Sequence, residues 1–158
     1  MSISMLSFRQ IEPQNAPMYL LLEADPSEAN VTKYLKSARC YVAVSNDEVV
    51  AVCVLNVHDD RNKDDNKIEL FNIAVSPDRQ GQGVGKAFLQ FVIESEKRRG
   101  ISCIELGTGT FGYQLAFYQR LGFRVDSILK NFFLDNYDEP IYEMGIQHKD
   151  MLRLVLHL

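Results

Sequence analysis

Apolar residues recur along this chain at two spacings, one typical of strands and one typical of helices. Loose alternation and short apolar runs rich in Val, Ile, Leu and Phe indicate strands, and apolar residues three or four positions apart indicate amphipathic helices. The runs predict strands over residues 3–11, 40–44, 49–57, 68–75, 101–106, 123–128 and 151–158. The helical spacing predicts helices over residues 18–24, from Pro26 or Ser27 to Leu35, from Val84 towards Gly100, and over 113–121. Residues 131–146 follow neither spacing and are expected to be less regular.

The order of these elements indicates the fold class. It is one strand, two helices, three strands, a helix, a strand, a helix and two strands. Strand and helix alternate only in the second half of the chain, so we predict an α/β (α+β) fold in which helices flank a mixed sheet. The sequence contains no internal repeat and no linker-like stretch, and residues 1–158 are therefore expected to form a single domain.

Composition is that of an ordinary globular protein, with 46% apolar and 24% charged residues among 158. The formal net charge of −4 argues against nucleic acid as the main partner. No apolar run approaches the ~20 residues of a membrane span, and the N-terminus lacks a signal-peptide pattern, so we expect no membrane partner and a cytoplasmic location. Cys40, Cys53 and Cys103 lie far apart in apolar runs and are expected to be reduced, buried thiols, not metal ligands.

A glycine-rich turn joins the strand at residues 68–75 to the helix that follows. Gly81, Gly83 and Gly85 let the backbone approach a ligand, and the first N–H groups of a helix have no partner inside it. With the helix dipole, these groups form a site for a phosphate. The spacing is not the Gly-x-Gly-x-x-Gly of dinucleotide folds, and the Lys-Ala pair at 86–87 leaves no hydroxyl for the magnesium of a P-loop.

The order Gln80-x-x-Gly83-x-Gly85 resembles the acetyl-CoA-binding motif of the GNAT N-acetyltransferase superfamily. Two further stretches strengthen the resemblance: Asn-Ile-Ala-Val-Ser-Pro at residues 72–77 and Phe-Tyr-Gln-Arg-Leu-Gly-Phe at residues 117–123. Together the three motifs cover the middle of the chain, and the resemblance is weaker at both ends.

The resemblance implies a fold, a cofactor and a reaction. The fold is a mostly antiparallel, twisted sheet of about seven strands flanked by about four helices, with central parallel strands 68–75 and 101–106 splayed apart. Acetyl-CoA lies in that gap as co-substrate, and its acetyl group passes directly to a primary amine in a ternary complex, without a metal. The alternative is a sensor or regulatory module that binds acetyl-CoA or CoA without turnover.

The resemblance also implies roles for individual residues. Backbone groups of the strand bind the pantetheine arm, the N–H of Val75 polarises the thioester carbonyl, and the turn binds the pyrophosphate. Tyr118 protonates the departing CoA thiolate. The predicted cofactor-binding residues are Ile73, Ala74, Val75, Gln80, Gly81, Gln82, Gly83, Val84, Gly85, Lys86, Thr108 and Phe117.

The group that deprotonates the amine stays open at this point. Glu69 precedes Ala74 by five residues, where some family members carry a catalytic glutamate, and it is the first candidate. Glu105 on the next strand is the rival, and a chain of water molecules is a third possibility.

The amine acceptor is the least defined part of the prediction, and a small molecule and a peptide are both open. Acidic residues in 59–65 and 135–139 favour a cationic acceptor, although the first stretch also fits a solvated loop. Aromatic residues in 132–142 either line the acceptor pocket or cover the core. Phe111 stands where many family members have an asparagine that binds the cofactor arm, a contact that Thr108 or Thr110 would have to replace. A homodimer is a further possibility.

Overall fold

In a computed structural model, which describes residues 5–57 and 66–158, the strands and helices follow the predicted order. The chain divides into two compact units, Met1–Ser102 and Cys103–Leu158. The prediction of a single domain, and that of a splay between the central strands, stay predictions. The predicted acidic loop at 58–65 lies outside the described residues.

The first unit has a sheet of four antiparallel strands, each paired with its neighbour in the chain. Two helices connect the first strand to the second, and a third helix follows the fourth strand. Ser27 caps the second helix, because its Oγ accepts a hydrogen bond from the N–H of Asn30 at 3.3 Å. The elements are β1 Ser7–Ile11, α1 Met18–Ala24, α2 Glu28–Leu35, β2 Ala38–Ser45, β3 Glu48–Asn56, β4 Lys67–Val75 and α3 Val84–Arg98.

Helices cover both faces of this sheet. Leu20 and Leu21 of α1 pack with Val42 of β2 and Val52 of β3 in one buried cluster. Tyr41 points to the opposite face, because successive side chains of a strand alternate, and there it contacts α3. The apolar run of β3 is buried from Val50 to Leu55, as expected of a strand that is covered on both faces.

A β-bulge interrupts the pairing of β3 with β4. Val54 pairs with Asn72, whereas the next residue, Leu55, pairs with Leu70. Phe71 is therefore the extra residue of the bulge.

In the second unit, β9 lies between β5 and β6 and pairs antiparallel with both. A short hairpin of β7 and β8 forms a separate two-stranded sheet. The two units together contain all seven predicted strands, four in the first and three in the second. The elements are β5 Cys103–Gly109, α4 Tyr113–Arg120, β6 Arg124–Leu129, α5 Phe132–Asn136, β7 Tyr142–Glu143, β8 Ile146–Gln147 and β9 Met151–His157.

The segment at residues 131–146 is more regular than predicted. It contains the single-turn helix α5 and the β7–β8 hairpin, so the described residues hold five α-helices where about four were expected. Both elements are too short to produce a periodic pattern of apolar residues, because a helical repeat needs at least two turns to be recognised.

Candidate active site

The glycine turn leads from β4 into α3, and two of its residues adopt left-handed backbone angles. Gly81 has a φ of 76°, and Gly83, which precedes the first residue of α3, has a φ of 82°. No side chain caps this helix start. A methyl group placed at Gly81 would meet no atom of the described residues within 4 Å. The turn therefore presents an open backbone surface at the start of a long helix, as an anion site requires.

The two glutamines of the turn bind its backbone. Gln80 Nε2 donates to the carbonyl of Val75 at 3.0 Å, and Gln82 Nε2 donates to the carbonyl of Asp78 at 3.2 Å. Gln80 thereby joins the turn to the end of β4. These side chains fix the shape of the turn, and the first N–H groups of α3 have no acceptor inside the helix.

Backbone directions in β4 follow from its pairing with β3. The N–H of Ser76 donates to the carbonyl of Val50 at 2.8 Å, and Ala74 pairs with Val52 two residues earlier. Hydrogen bonds of an antiparallel strand leave alternate residues on opposite edges. The backbone groups of Ala74 are thus directed to β3, whereas those of Ile73 and Val75 are directed to the other edge of β4.

The two glutamates predicted as bases have different surroundings. Glu69 shares the half-buried positions of β4 with Phe71, Ile73 and Val75, while the alternate residues 70, 72 and 74 are buried. Glu105 on β5 is half-buried as well, and its Oε2 lies 3.7 Å from Nη2 of Arg153 on β9. Glu105 therefore has an arginine partner across the strand pair.

Tyr118 is the buried residue of α4, with 5% of its surface exposed. Its ring centroid lies 5.3 Å from that of Phe117 and 5.7 Å from that of Phe123. Gly122 has a φ of 99°, and the N–H of Phe123 donates to the carbonyl of Tyr118 at 3.1 Å, so a left-handed glycine ends this helix. These contacts hold the tyrosine ring from two sides.

The predicted site residues fall into one group in each unit. In the first unit, Glu69, residues 73–75 and residues 80–86 lie on a single strand, turn and helix. In the second unit, buried Thr108 is the residue before the last of β5, and Phe117 and Tyr118 lie on the helix that follows.

Three residues that the sequence did not identify as a group surround the connection between β5 and α4. The ring of His148 stacks on Phe111 with centroids 4.2 Å apart and planes 8° apart. His148 Nε2 lies 3.0 Å from Oε1 of Glu143, and 7% of the histidine is exposed. The presence of Phe111 in place of the family's asparagine was the one sequence signal for this cluster.

The three cysteines are buried thiols that form no disulfide within the described residues, as predicted. Burial raises the pKa of Cys40 to about 11 and that of Cys53 well above its usual value. Both thiols are therefore protonated at neutral pH and poor nucleophiles.

The described residues include no cluster of side chains suited to hold a metal ion. Within the same part of the chain, every helix is too short or too polar to cross a membrane.

Comparison with known proteins connects this geometry to a family. A family model described as acetyltransferase (GNAT) domain matches residues 36–125. The Bacillus subtilis (strain 168) protein named uncharacterized N-acetyltransferase YvbK is 41% identical over 160 residues, which span 100% of both chains. The solved structure of an IAA acetyltransferase from Bacillus cereus ATCC 14579 is 38% identical, covers 97% of this chain and 99% of its own, and has a TM-score of 0.88.

A second solved structure, a GNAT family acetyltransferase from Elizabethkingia anophelis with acetyl-CoA bound, is 38% identical, with 98% and 99% coverage and a TM-score of 0.89. These similarities extend over nearly the whole chain and confirm the predicted fold class. The chain belongs to the GNAT family of N-acetyltransferases.

Proposed function

We propose that this enzyme transfers the acetyl group of acetyl-CoA directly to a primary amine. The open glycine turn at the start of α3 is the observation that carries the proposal, because it offers backbone N–H groups to a pyrophosphate. The bound acetyl-CoA of the Elizabethkingia anophelis relative supports the same cofactor. Direct transfer is favoured because Cys40 and Cys53 are protonated and Cys103 is buried, which makes an acetyl-cysteine intermediate unfavourable.

The strand and the turn contribute backbone contacts in this proposal. Residues 81–86 bind the pyrophosphate, and Ile73 and Val75 bind the pantetheine arm as an added strand would. The N–H of Val75 stabilises the negative charge that develops on the thioester oxygen, which is worth roughly 3 kcal/mol in comparable sites. Thr108 and Phe117 are assigned contacts with the remainder of the cofactor.

Acetyl-CoA is expected to raise the melting temperature, and Gly83→Asp is expected to abolish that shift. A ligand at 100 times its Kd adds about 2.7 kcal/mol to the free energy of unfolding. The aspartate places a negative charge beside the pyrophosphate, whereas Gly83→Asn adds similar bulk and backbone strain without the charge. Thermal unfolding at increasing acetyl-CoA concentration gives the shift in melting temperature for both variants. Equal shifts in Gly83→Asp and Gly83→Asn would contradict the assigned pyrophosphate site.

The proton chemistry requires one acid and one base. An alkyl ammonium has a pKa of about 10 and attacks only after it has lost a proton, while the leaving thiolate must gain one. We assign Tyr118 as the acid. We assign Glu69 as the base, acting directly or through one water, because it lies at a half-buried position of the strand that carries Val75. Glu105, whose Oε2 lies 3.7 Å from Nη2 of Arg153, is the alternative candidate.

Glu69→Gln is expected to remove most activity near neutral pH, with partial recovery as the pH rises. Recovery follows because solvent supplies more neutral amine at high pH, which reduces the need for a base. The test is to measure the activity of Glu69→Gln and Glu105→Gln as a function of pH with the same acceptor and to compare the two profiles. If the acidic limb of the profile persists in Glu69→Gln and disappears in Glu105→Gln, the role belongs to Glu105. If it persists in both, water carries the proton.

A cationic amine is the acceptor class that the charges favour. Asp135, Asp138 and Glu139 are exposed in the second unit. The acidic residues in 59–65 would add to the attraction. A cationic acceptor predicts a KM that rises with ionic strength, because at about 0.1 M salt the attraction between exposed charges more than about 10 Å apart is largely screened.

A further inference from the structure

The connection between β5 and α4, residues 109–112, is held by two side chains from the end of the same unit, His148 and Glu143. We propose that this pair positions α4, and through it Tyr118, for the transfer reaction. The inference rests on the proposed function, in which Tyr118 donates the proton to the thiolate. His148 and Glu143 are positioning residues here and take no part in the chemistry.

His148 lies flat against the connection. Its ring stacks on that of Phe111, with ring centroids 4.2 Å apart and planes only 8° apart. The ring centroid of Phe133 on α5 lies 5.6 Å from that of the histidine. A methyl group at Gly109 would overlap the imidazole ring, so only glycine allows the ring this close to the end of β5. Phe111 and Gly109 thus form two sides of a slot that the histidine fills.

Glu143 joins the histidine to the start of the helix. Its Oε1 lies 3.0 Å from His148 Nε2, and a Cβ at Gly112, the residue that caps α4, would overlap its carboxyl group. A carboxylate only accepts hydrogen bonds, so Nε2 carries the proton of this pair. The negative charge is also favoured at the start of α4 by the helix dipole. Gly112 has a φ of 105°, which a residue with a side chain rarely adopts.

The orientation of the ring depends on this one hydrogen bond. The N–H of His148 is fixed by the carbonyl of Ile141 at 2.8 Å, but the ring can still turn about its side-chain bonds. His148 Nδ1 is buried and has no hydrogen-bond partner among the described residues. Loss of Glu143 therefore releases the ring, and the stack with Phe111 loses its fixed geometry.

A displacement of the connection between β5 and α4 would also shift Tyr118, the proposed acid. Phe111 and Gly112 immediately precede α4, and Tyr118 is the sixth of the eight residues of this helix. A misplacement of about 1 Å in a reacting group can lower a rate by about 10²-fold. The stack of Phe111 and His148 thus fixes the connection between β5 and α4 in this chain, which lacks the asparagine that many relatives have at position 111.

A double-mutant cycle between Glu143 and Tyr118 tests the inference. Glu143→Ala is expected to lower kcat by about 10- to 100-fold with little change in the KM for acetyl-CoA. In the Tyr118→Phe background the same substitution is expected to change kcat by less than about 3-fold, because the positioned hydroxyl is already absent. Asp126→Ala, which removes an exposed carboxylate of the same unit, is the matched control and should leave kcat unchanged.

Each outcome of the cycle decides the inference. A kcat of Glu143→Ala equal to that of the parent, beside a slow Tyr118→Phe, would overturn the positioning role and leave the proposed function intact. Equal losses in both backgrounds would also overturn it, because they would indicate a general structural effect. Full turnover in Tyr118→Phe alone would overturn both the acid role and the inference. Gly109→Ala, which displaces the histidine ring, should reproduce the loss seen in Glu143→Ala.

Discussion

Tyr118→Phe is expected to lower kcat by about 10²–10⁴-fold, the range typical of a lost general acid. The phenyl ring keeps the contacts of the tyrosine with Phe117 and Phe123, so the fold and the start of the next strand should be preserved. The hydroxyl is needed when the thiolate departs, and its loss should appear in kcat with little change in the affinity for acetyl-CoA.

Steady-state release of free CoA thiol gives kcat, and thermal shift gives the affinity for acetyl-CoA. Tyr113→Phe is a matched control, because this tyrosine lies on the same helix with 85% of its surface exposed. Parental turnover in Tyr118→Phe would mean that the ring serves packing alone or that the thiolate leaves unprotonated.

Glu96→Gln is expected to lower the free energy of unfolding by about 3–5 kcal/mol, the usual cost of removing one partner of a buried ion pair. Glu96 is fully buried near the end of α3, where its carboxylate accepts hydrogen bonds from Arg39 Nε at 2.6 Å and from the hydroxyl of Tyr41 at 2.9 Å. The variant leaves the guanidinium of Arg39 charged and mostly buried without an opposite charge. Burial and the nearby Glu96 also raise the pKa of Tyr41, so its hydroxyl remains a donor.

Urea denaturation measures this loss of stability, and Glu94→Gln is the control because it removes an exposed carboxylate from the same helix. The control should stay within about 0.5 kcal/mol of the parent. A loss below about 1 kcal/mol in Glu96→Gln would contradict a buried, paired carboxylate. Replacement of both Arg39 and Glu96 by Met should recover much of the stability, because well-packed apolar residues often substitute for a buried pair at little cost.

The sequence predicts the regular elements well because their patterns are local. The apolar runs of β3 and β4 and the helical spacing after Val84 each reflect buried positions, and each element was found where expected. The glycine turn was also predictable, because glycine readily adopts the positive φ seen at Gly81 and Gly83, and the motif lies within a few consecutive residues. The start of α2 at Ser27 was predictable for a similarly local reason, because serine is a preferred residue at the cap of a helix.

Contacts between residues far apart in the chain were not predictable from these patterns. Glu96 is 57 residues from Arg39, and nothing in the amphipathic spacing of α3 marks it as the charged residue that is buried. His148 and Phe111 likewise lie in segments without periodicity and meet only after the chain has folded. The direction of the backbone groups of Ile73 and Val75 depends on the register of β3 against β4, which the sequence leaves open.

Amine-dependent release of CoA thiol is the measurement that tests the central claim most directly. The purified chain is mixed with excess acetyl-CoA and a panel of primary amines that includes polyamines, lysine derivatives, aminoglycosides and peptides with free N-termini. The account predicts that at least one amine raises thiol release above the background without amine, with an equal amount of acetylated amine formed. Gly83→Asp should lose this activity, and Tyr118→Phe should retain only a small fraction of it. Thermal stabilisation by acetyl-CoA without thiol release for any amine in the panel would contradict the account and indicate a CoA-binding module without turnover.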